Sequence, residues 1–286
     1  MANTGYDPAE YKAQQREQWS NAADGWRRRW PVFERAAQAL SDRMMDLARI
    51  TPGKRVLDVA TGIGEPAMTA ARRVGPSGSV VALDQAPRML AIARERMRAG
   101  GLTNVECIEG DAETVALPPD SFDAVVCRWA LFFFPNPVGT LARLRATLTA
   151  DGRLAAAVWG PPARVPQISL SFGVLARELG RPPAPPAGPS PFAFADPAPL
   201  EQVMRDAGFA DVRSEPFTVT LDFPSADEYV GYLRDISATT RAMLAPLGPE
   251  RQADIWGKIG VAAAAYADAS GTIHMPNDCL LVVGQR

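Results

Sequence analysis

The sequence predicts a doubly wound α/β fold: a mostly parallel seven-stranded sheet with helices on both faces. Three observations carry this expectation. Short apolar segments alternate with helical ones from residue 55 onward. Those segments are almost continuously apolar, as strands covered on both faces must be. A glycine-bearing turn, Thr61-Gly62-Ile63-Gly64, joins the first strand to the next helix, and in open α/β sheets such turns lie on the ligand edge.

Residues 8–50 place apolar side chains at three-and-four spacing, so they read as helical. One break is expected, where Pro31 can open a second helix because a first-turn proline loses no needed hydrogen bond. Thr51-Pro52-Gly53 ends the block. Strands follow at 55–60 (RVLDVA), 79–84 (SVVALD), 105–110 (VECIEG), 122–127 (FDAVVC) and 153–159 (RLAAAVW), separated by the helical stretches PAMTAARRV, APRMLAIARERMRAGG and NPVGTLARLRATLT. After residue 160 the composition shifts. PPARVPQISLSFGVLARELG carries one helix, and RPPAPPAGPSPFAFADPAP is too long and proline-rich for a turn. Asp196–Gly208 reads as a helix closed by glycine. Residues 211–223 then form a strand, 225–270 are largely helical, and CLLVVGQR is the last strand. The organisation is therefore an N-terminal helical cap segment (1–50), a core (51–160), a proline-rich insertion (161–199) and the rest of the core (200–286), itself interrupted by a helical cap insertion at 220–278.

Hydrophobic residues at 47% and a net charge of −2 fit a soluble globular chain. The one basic knot, Arg27-Arg28-Arg29, is too short for a nucleic-acid face. No apolar run approaches the roughly 18–20 residues of a membrane span, and the polar N-terminus lacks a signal-peptide core. Cys107, Cys127 and Cys279 lie far apart in apolar contexts, which suits reduced thiols in the cytoplasm. One histidine, and no Asp/Glu cluster with a ligand pattern, argue against a metal site.

VLDVATGIGEPA (56–67) satisfies G-x-G-x-x-A through Gly62, Gly64 and Ala67, so a dinucleotide site comes first. Two residues oppose it. Asp58 would repel a pyrophosphate but favour a ligand with ammonium and sulfonium charges. Pro66 removes a backbone N–H from the helix start, where a phosphate would want one. The loop therefore suits a cation-bearing nucleoside; the alternative is that Asp58 only caps the turn. Asp84 ends the second strand where such folds hold ribose hydroxyls, and a carboxylate can take both. After the third strand, Asp111 and the neighbouring backbone can read an adenine edge while Met89 covers the ring. The alternatives there are an N-cap for Asp111 and a core role for Met89.

VLDVATGIGEPA, VVALDQAPRMLAIARERM and GDAETVALPPDSFDAVVCRWALFFFPNP together resemble the class I S-adenosylmethionine (SAM)-dependent methyltransferases. The group most similar is that of ubiquinone/menaquinone biosynthesis and its secondary-metabolite relatives. The match runs over about 50–160 and continues more weakly through ADPAPLEQVMRDAGFADV. The resemblance implies a Rossmann-like sheet with an antiparallel last strand, and SAM as cofactor. It implies that Ala60, Thr61, Gly62 and Gly64 approach the methionine part, with Asp58 neutralising its ammonium. Asp84 and Gln85 would hold the ribose, and Met89, Asp111, Ala112 and Glu113 the adenine. Cys127 and Arg128 would border the sulfonium. Thr61, where relatives often carry cysteine, and Glu65 depart from the pattern.

With the last strand antiparallel, the segments 160–199 and 220–278 emerge on the ligand edge. With the N-terminal helices they can cap the site with aromatics such as Trp19, Trp26, Phe33, Tyr229, Tyr232 and Trp256. An enclosed apolar pocket implies an apolar or aromatic acceptor and a dry transfer site. Trp129 and Phe133, after the fourth strand, are the expected acceptor neighbours, with Trp30 and Tyr11. His274 is the candidate general base by type and location; Tyr6, Tyr11, Glu65 and Glu113 are weaker, and base-free transfer stays open. The expected activity is methyl transfer to O, C or N of a small molecule in quinone-like or secondary metabolism. The alternative is cyclisation, decarboxylation or hydroxylation on the same fold. A catalytically silent binding protein is disfavoured by the acidic pair Asp58 and Asp84. The partner expected is a small molecule and not nucleic acid, and homodimerisation stays open.

Overall fold

The structure is a computed structural model that describes residues 6–180 and 188–286. Part of the proline-rich connection, 181–187, falls outside the described residues. The strands are β1 (Arg55–Val59), β2 (Ser79–Asp84), β3 (Val105–Glu109), β4 (Phe122–Arg128), β5 (Leu148–Trp159), β6 (Ala210–Phe223) and β7 (Ile273–Gln285). They form one seven-stranded sheet in the order β3-β2-β1-β4-β5-β7-β6. β1 to β5 run parallel, and β7 is antiparallel to both neighbours.

Parallel neighbours need crossovers, and these place α2 (Ala67–Val74), α3 (Pro87–Ala99), α4 (Pro137–Thr147), α5 (Pro166–Glu178) and α6 (Pro197–Asp206) against the sheet. Val56, Leu57, Val59 and Val125 are fully buried in consequence. The strand order reverses between β1 and β4, and ligands bind at such a switch point beyond the carboxyl ends of the strands.

The N-terminal segment corrects one expectation. Pro31 does not open a second helix; α1 runs unbroken from Pro8 to Leu47. A proline inside a helix frees the carbonyl four residues earlier. Here that residue is Arg27, and both positions face solvent, so water can satisfy the freed group while the stripe Trp30, Phe33, Ala37, Leu40 and Met44 stays buried. Pro31→Ala is expected to stabilise the protein by about 1–3 kcal/mol, read as a higher urea midpoint at unchanged slope; a lower midpoint would show that the ring packs.

β7 begins six residues before the expected CLLVVGQR. Ile273, Met275 and Asn277 alternate inward with exposed His274 and Pro276, so this stretch lacks the continuous apolar run of a doubly covered strand. It pairs with β6 out to Phe223–Ile273. Between β6 and β7 lie α7 (Ala226–Ile236), α8 (Ala238–Leu244) and α9 (Pro249–Ala263). α7 meets α1 so closely that a Cβ on Gly25 would stand 2.1 Å from the Asp235 carbonyl oxygen. Two residues of the basic knot serve this packing, Arg28 and Arg29 binding Asp235 at 2.6 and 2.5 Å, while Arg27 pairs with Glu95 of α3.

Candidate cofactor and acceptor site

The loop after β1 is held by backbone and carboxylates together. Thr61 N–H donates to the Leu83 carbonyl and Gly64 N–H to the Thr61 carbonyl, both at 3.0 Å. Ala60, Gly62 and Gly64 all have positive φ, of 59°, 56° and 107°, a region that costs a β-carbon energy and suits glycine. The two glycines are not equivalent. A Cβ on Gly64 would press within 3.3 Å of Met97 and 3.4 Å of Ala93 on α3, whereas one on Gly62 would meet nothing within 4 Å. Gly64 therefore lets the loop pack on α3, and Gly62 opens a cradle on the ligand edge.

Asp58 is completely buried, and its Oδ2 accepts the Ala67 N–H at 2.8 Å, tying β1 to the start of α2. Its Oδ1 and the Thr61 hydroxyl are buried without a partner. Burial pushes the Asp58 carboxyl up to about 7, with the nearby Thr61 hydroxyl, the Arg128 charge and the Ala67 amide partly offsetting it. Asp84 accepts the Gly62 N–H at 2.7 Å on Oδ2 and the Ala86 N–H at 2.8 Å on Oδ1. Burial raises its pKa, against the pull of those amides. The contact to Gly62 bears on ligand choice. An amide that a phosphate would take is already held by a carboxylate, and an incoming phosphate would face that charge.

Where the sequence reading expects an adenine, Met89 and Ala112 are buried. Asp111 Oδ1 accepts the Glu113 N–H at 2.9 Å, so it does shape its own turn. Lys12 of α1 reaches across to Asp111 and Glu113, at 2.7 and 3.0 Å. Arg16 donates to the Gln85 carbonyl at 3.0 Å. Neither α1 cation was foreseen, because a helix about 70 to 100 residues away in sequence gives no local sign of where it docks.

Cys127 is buried, and burial lifts its thiol to about 12, so it stays protonated. Arg128, last in β4, turns toward α1 and the loop: it donates to Ser41 Oγ at 2.6 Å and to the Glu65 carbonyl at 3.4 Å. Trp129 follows with φ of 55°, an unusual value for a bulky residue, and its ring stacks on Trp159 at 4.4 Å. Phe33 packs edge-on to Trp129 at 5.0 Å, and Trp19 to Phe133 at 5.7 Å. Trp30 carries the Arg96 guanidinium over its face at 4.4 Å. α1 and the end of β4 thus build one aromatic wall. Tyr11 lies edge-on to Tyr6, its hydroxyl buried and unpaired, its pKa raised by burial.

The structure does not bring His274 to this wall. It lies within β7, opposite Asp222 and five residues before Cys279, which pairs with the end of β5 at Trp159. At ~3.3 Å per residue that is roughly 17 Å beyond the strand end. The ring is half exposed, and both nitrogens are engaged, by Asp222 at 2.7 Å and Asp268 at 3.1 Å. Those carboxylates raise its pKa. Glu65 is also committed, its Oε2 accepting from the N–H and hydroxyl of Thr69 at 3.0 and 2.7 Å. Among the described residues, no cluster of three or more His, Cys, Asp or Glu could hold a metal ion, and no helix is long and apolar enough to cross a membrane.

The family described as a methyltransferase domain matches residues 56–152. Aklanonic acid methyltransferase DauC of Streptomyces sp. (strain C5) is 39% identical over 113 residues, 40% of this chain and 51% of its own. The match thus spans about half of that relative. Nocamycin O-methyltransferase of Saccharothrix syringae is 29% identical over 252 residues, covering 85% of this chain and 89% of its own. Among solved structures, YcgJ of Bacillus subtilis shares the fold at a TM-score of 0.56 and 17% identity, over 86% of this chain and 97% of its own. Over residues 56–152 the chain thus matches a methyltransferase domain.

Proposed function

We propose that the protein transfers the methyl group of SAM to a small apolar or aromatic acceptor, at O, C or N, in quinone-like or secondary metabolism. The observation that carries this reading is the loop itself: an open cradle at Gly62, whose amide is held by Asp84 in place of a phosphate. The relatives named for aklanonic acid and nocamycin support a small-molecule acceptor.

SAM, when bound, supplies a methyl group on a sulfonium that already carries the driving force. The residues present fit it. Each Asp84 oxygen takes one backbone N–H and keeps a lone pair for a ribose hydroxyl, beside Gln85. Ala60, Thr61, Gly62 and Gly64 border the amino-acid end. Met89 and Ala112 cover the adenine, with Asp111 and Glu113 at its edge. Asp58 sets the loop from beneath. Trp129, Phe133 and Trp30 wall the acceptor side, with Tyr11 at the rim. They exclude water and hold the acceptor in line with the methyl, the main task of the protein in a displacement of this kind. With His274 held elsewhere, the acceptor arrives ionised or intrinsically nucleophilic. Free thiols at all three cysteines support the cytoplasm, the near-neutral net charge supports a small-molecule partner over nucleic acid, and homodimerisation is to be measured by sedimentation.

Calorimetry with S-adenosylhomocysteine (SAH) and NADH is expected to show micromolar or tighter binding of SAH alone, at or beyond about −8 kcal/mol. Incubation with methyl-labelled SAM and a panel of phenols, quinones and amines is expected to label a product. NADH binding without SAH binding would overturn the cofactor, and a product without label would overturn methyl transfer.

A further inference from the structure

We propose that Glu34 of α1 and Arg128 of β4 form a clamp for the two charges of the cofactor's amino-acid end, Glu34 for the ammonium and Arg128 for the carboxylate. The proposal rests on the SAM reading above. A zwitterion taken into a dry site needs an opposite charge or hydrogen bonds for each end. The carboxylates of the loop are less accessible: Asp58, with one oxygen on the Ala67 amide and the other unpartnered among the described residues, is completely buried, Asp84 holds Gly62 and Ala86, and Glu65 holds Thr69. Glu34 differs. Its side chain is 16% exposed, and its Oε1 is buried with no hydrogen-bond partner.

Arg128 is the matching cation. Its side chain is 3% exposed, and it touches Glu34 Oε2 only at 3.5 Å, a loose contact for an ion pair. Two of its nitrogens bind Ser41, the Glu65 carbonyl and Glu34; a guanidinium has five N–H donors, so donors remain for a carboxylate. The Glu65 contact fixes this guanidinium to the cofactor loop itself. Trp30 and Phe33 flank it at 5.6 and 5.9 Å, lowering the local dielectric and strengthening any charge placed there. The other charged groups facing Glu34 are Glu65 and Arg96, and burial leaves its carboxyl raised despite the two arginines. An ammonium would restore the charged form. α1 thereby contributes to the cofactor site as well as to the aromatic wall.

The test is calorimetry at pH 7.5 with SAH and with 5′-methylthioadenosine, the same thioether nucleoside without the amino acid. The unaltered protein is expected to bind SAH at least about tenfold more tightly. Glu34→Gln is expected to weaken SAH binding about 10–100-fold, as for a lost charged hydrogen bond, with 5′-methylthioadenosine unchanged within about twofold. Equal affinity of the unaltered protein for the two ligands would overturn the clamp without any variant. So would Glu34→Gln that keeps SAH affinity, or loses both ligands alike. If the unaltered protein binds neither, the SAM reading falls and the clamp with it.

Discussion

Asp58→Asn is expected to be more stable than the unaltered protein at pH 8 by about 2–4 kcal/mol, and nearly equal to it at pH 4. The folded carboxyl titrates near 7 against an ordinary 3.8. Between these pH values the folded state keeps a proton that the unfolded chain has released, so stability falls as pH rises from about 4 to 7 and stays low above. Each tenfold change in proton affinity corresponds to about 1.4 kcal/mol, reduced here because buried sites relax. Asparagine has no such titration, and its side-chain oxygen can still accept the Ala67 N–H that Asp58 holds at 2.8 Å. The same substitution is expected to weaken SAM binding above about pH 7, since it removes negative charge near the ligand's sulfonium and ammonium. The residue therefore costs stability where it serves the cofactor, a trade usual at functional sites. Urea unfolding of both proteins at pH 4, 6 and 8 checks it. A gap that does not open with rising pH would mean that Asp58 is ionised throughout.

Asp84→Ala is the second large effect, and it acts on two properties at once. The folded protein loses the acceptor for the Gly62 and Ala86 amides, at 2.7 and 2.8 Å. Leaving buried donors unpaired costs about 1–3 kcal/mol each, so a loss of stability on the order of 2–4 kcal/mol is expected. Affinity for SAH is expected to fall by a further ~1–3 kcal/mol, because the ribose hydroxyls lose a charged acceptor. Gly62 sits at φ 56° in the cradle, so freeing its amide also loosens the surface against which the cofactor rests. Stability is read by urea unfolding, and affinity by calorimetry at a temperature where both proteins are folded. A variant that loses stability but binds SAH as before would confine Asp84 to holding the loop.

The sheet and its cofactor turn could be read from the sequence, because both rest on local rules. β1, β2, β3 and β4 fall within a residue of the expected boundaries, since a strand buried on both faces is apolar along its whole length. Gly62, Gly64, Asp58 and Asp84 announce themselves by residue type at a strand end. The same rules misplace elements whose neighbours are distant. The start of β7 alternates polar and apolar because, where it pairs with the end of β6, one face of the ladder is buried and the other exposed, and α1 passes through Pro31 because its buried stripe outweighs one lost hydrogen bond.

What the sequence determined by itself is thus the sheet, its ligand edge and a turn suited to a cationic adenosyl ligand in preference to a phosphate. Only the tertiary structure decided which distant side chains gather beside that edge. It set Glu34, Ser41 and Lys12 of α1 against residues about 90 to 100 positions away, and it moved His274 out along the β6–β7 ladder between two aspartates. The physical reason is that a strand's burial and a turn's backbone angles are encoded over a few residues. A buried charge's partner is chosen by how whole elements pack, and that choice leaves no periodic trace in the chain.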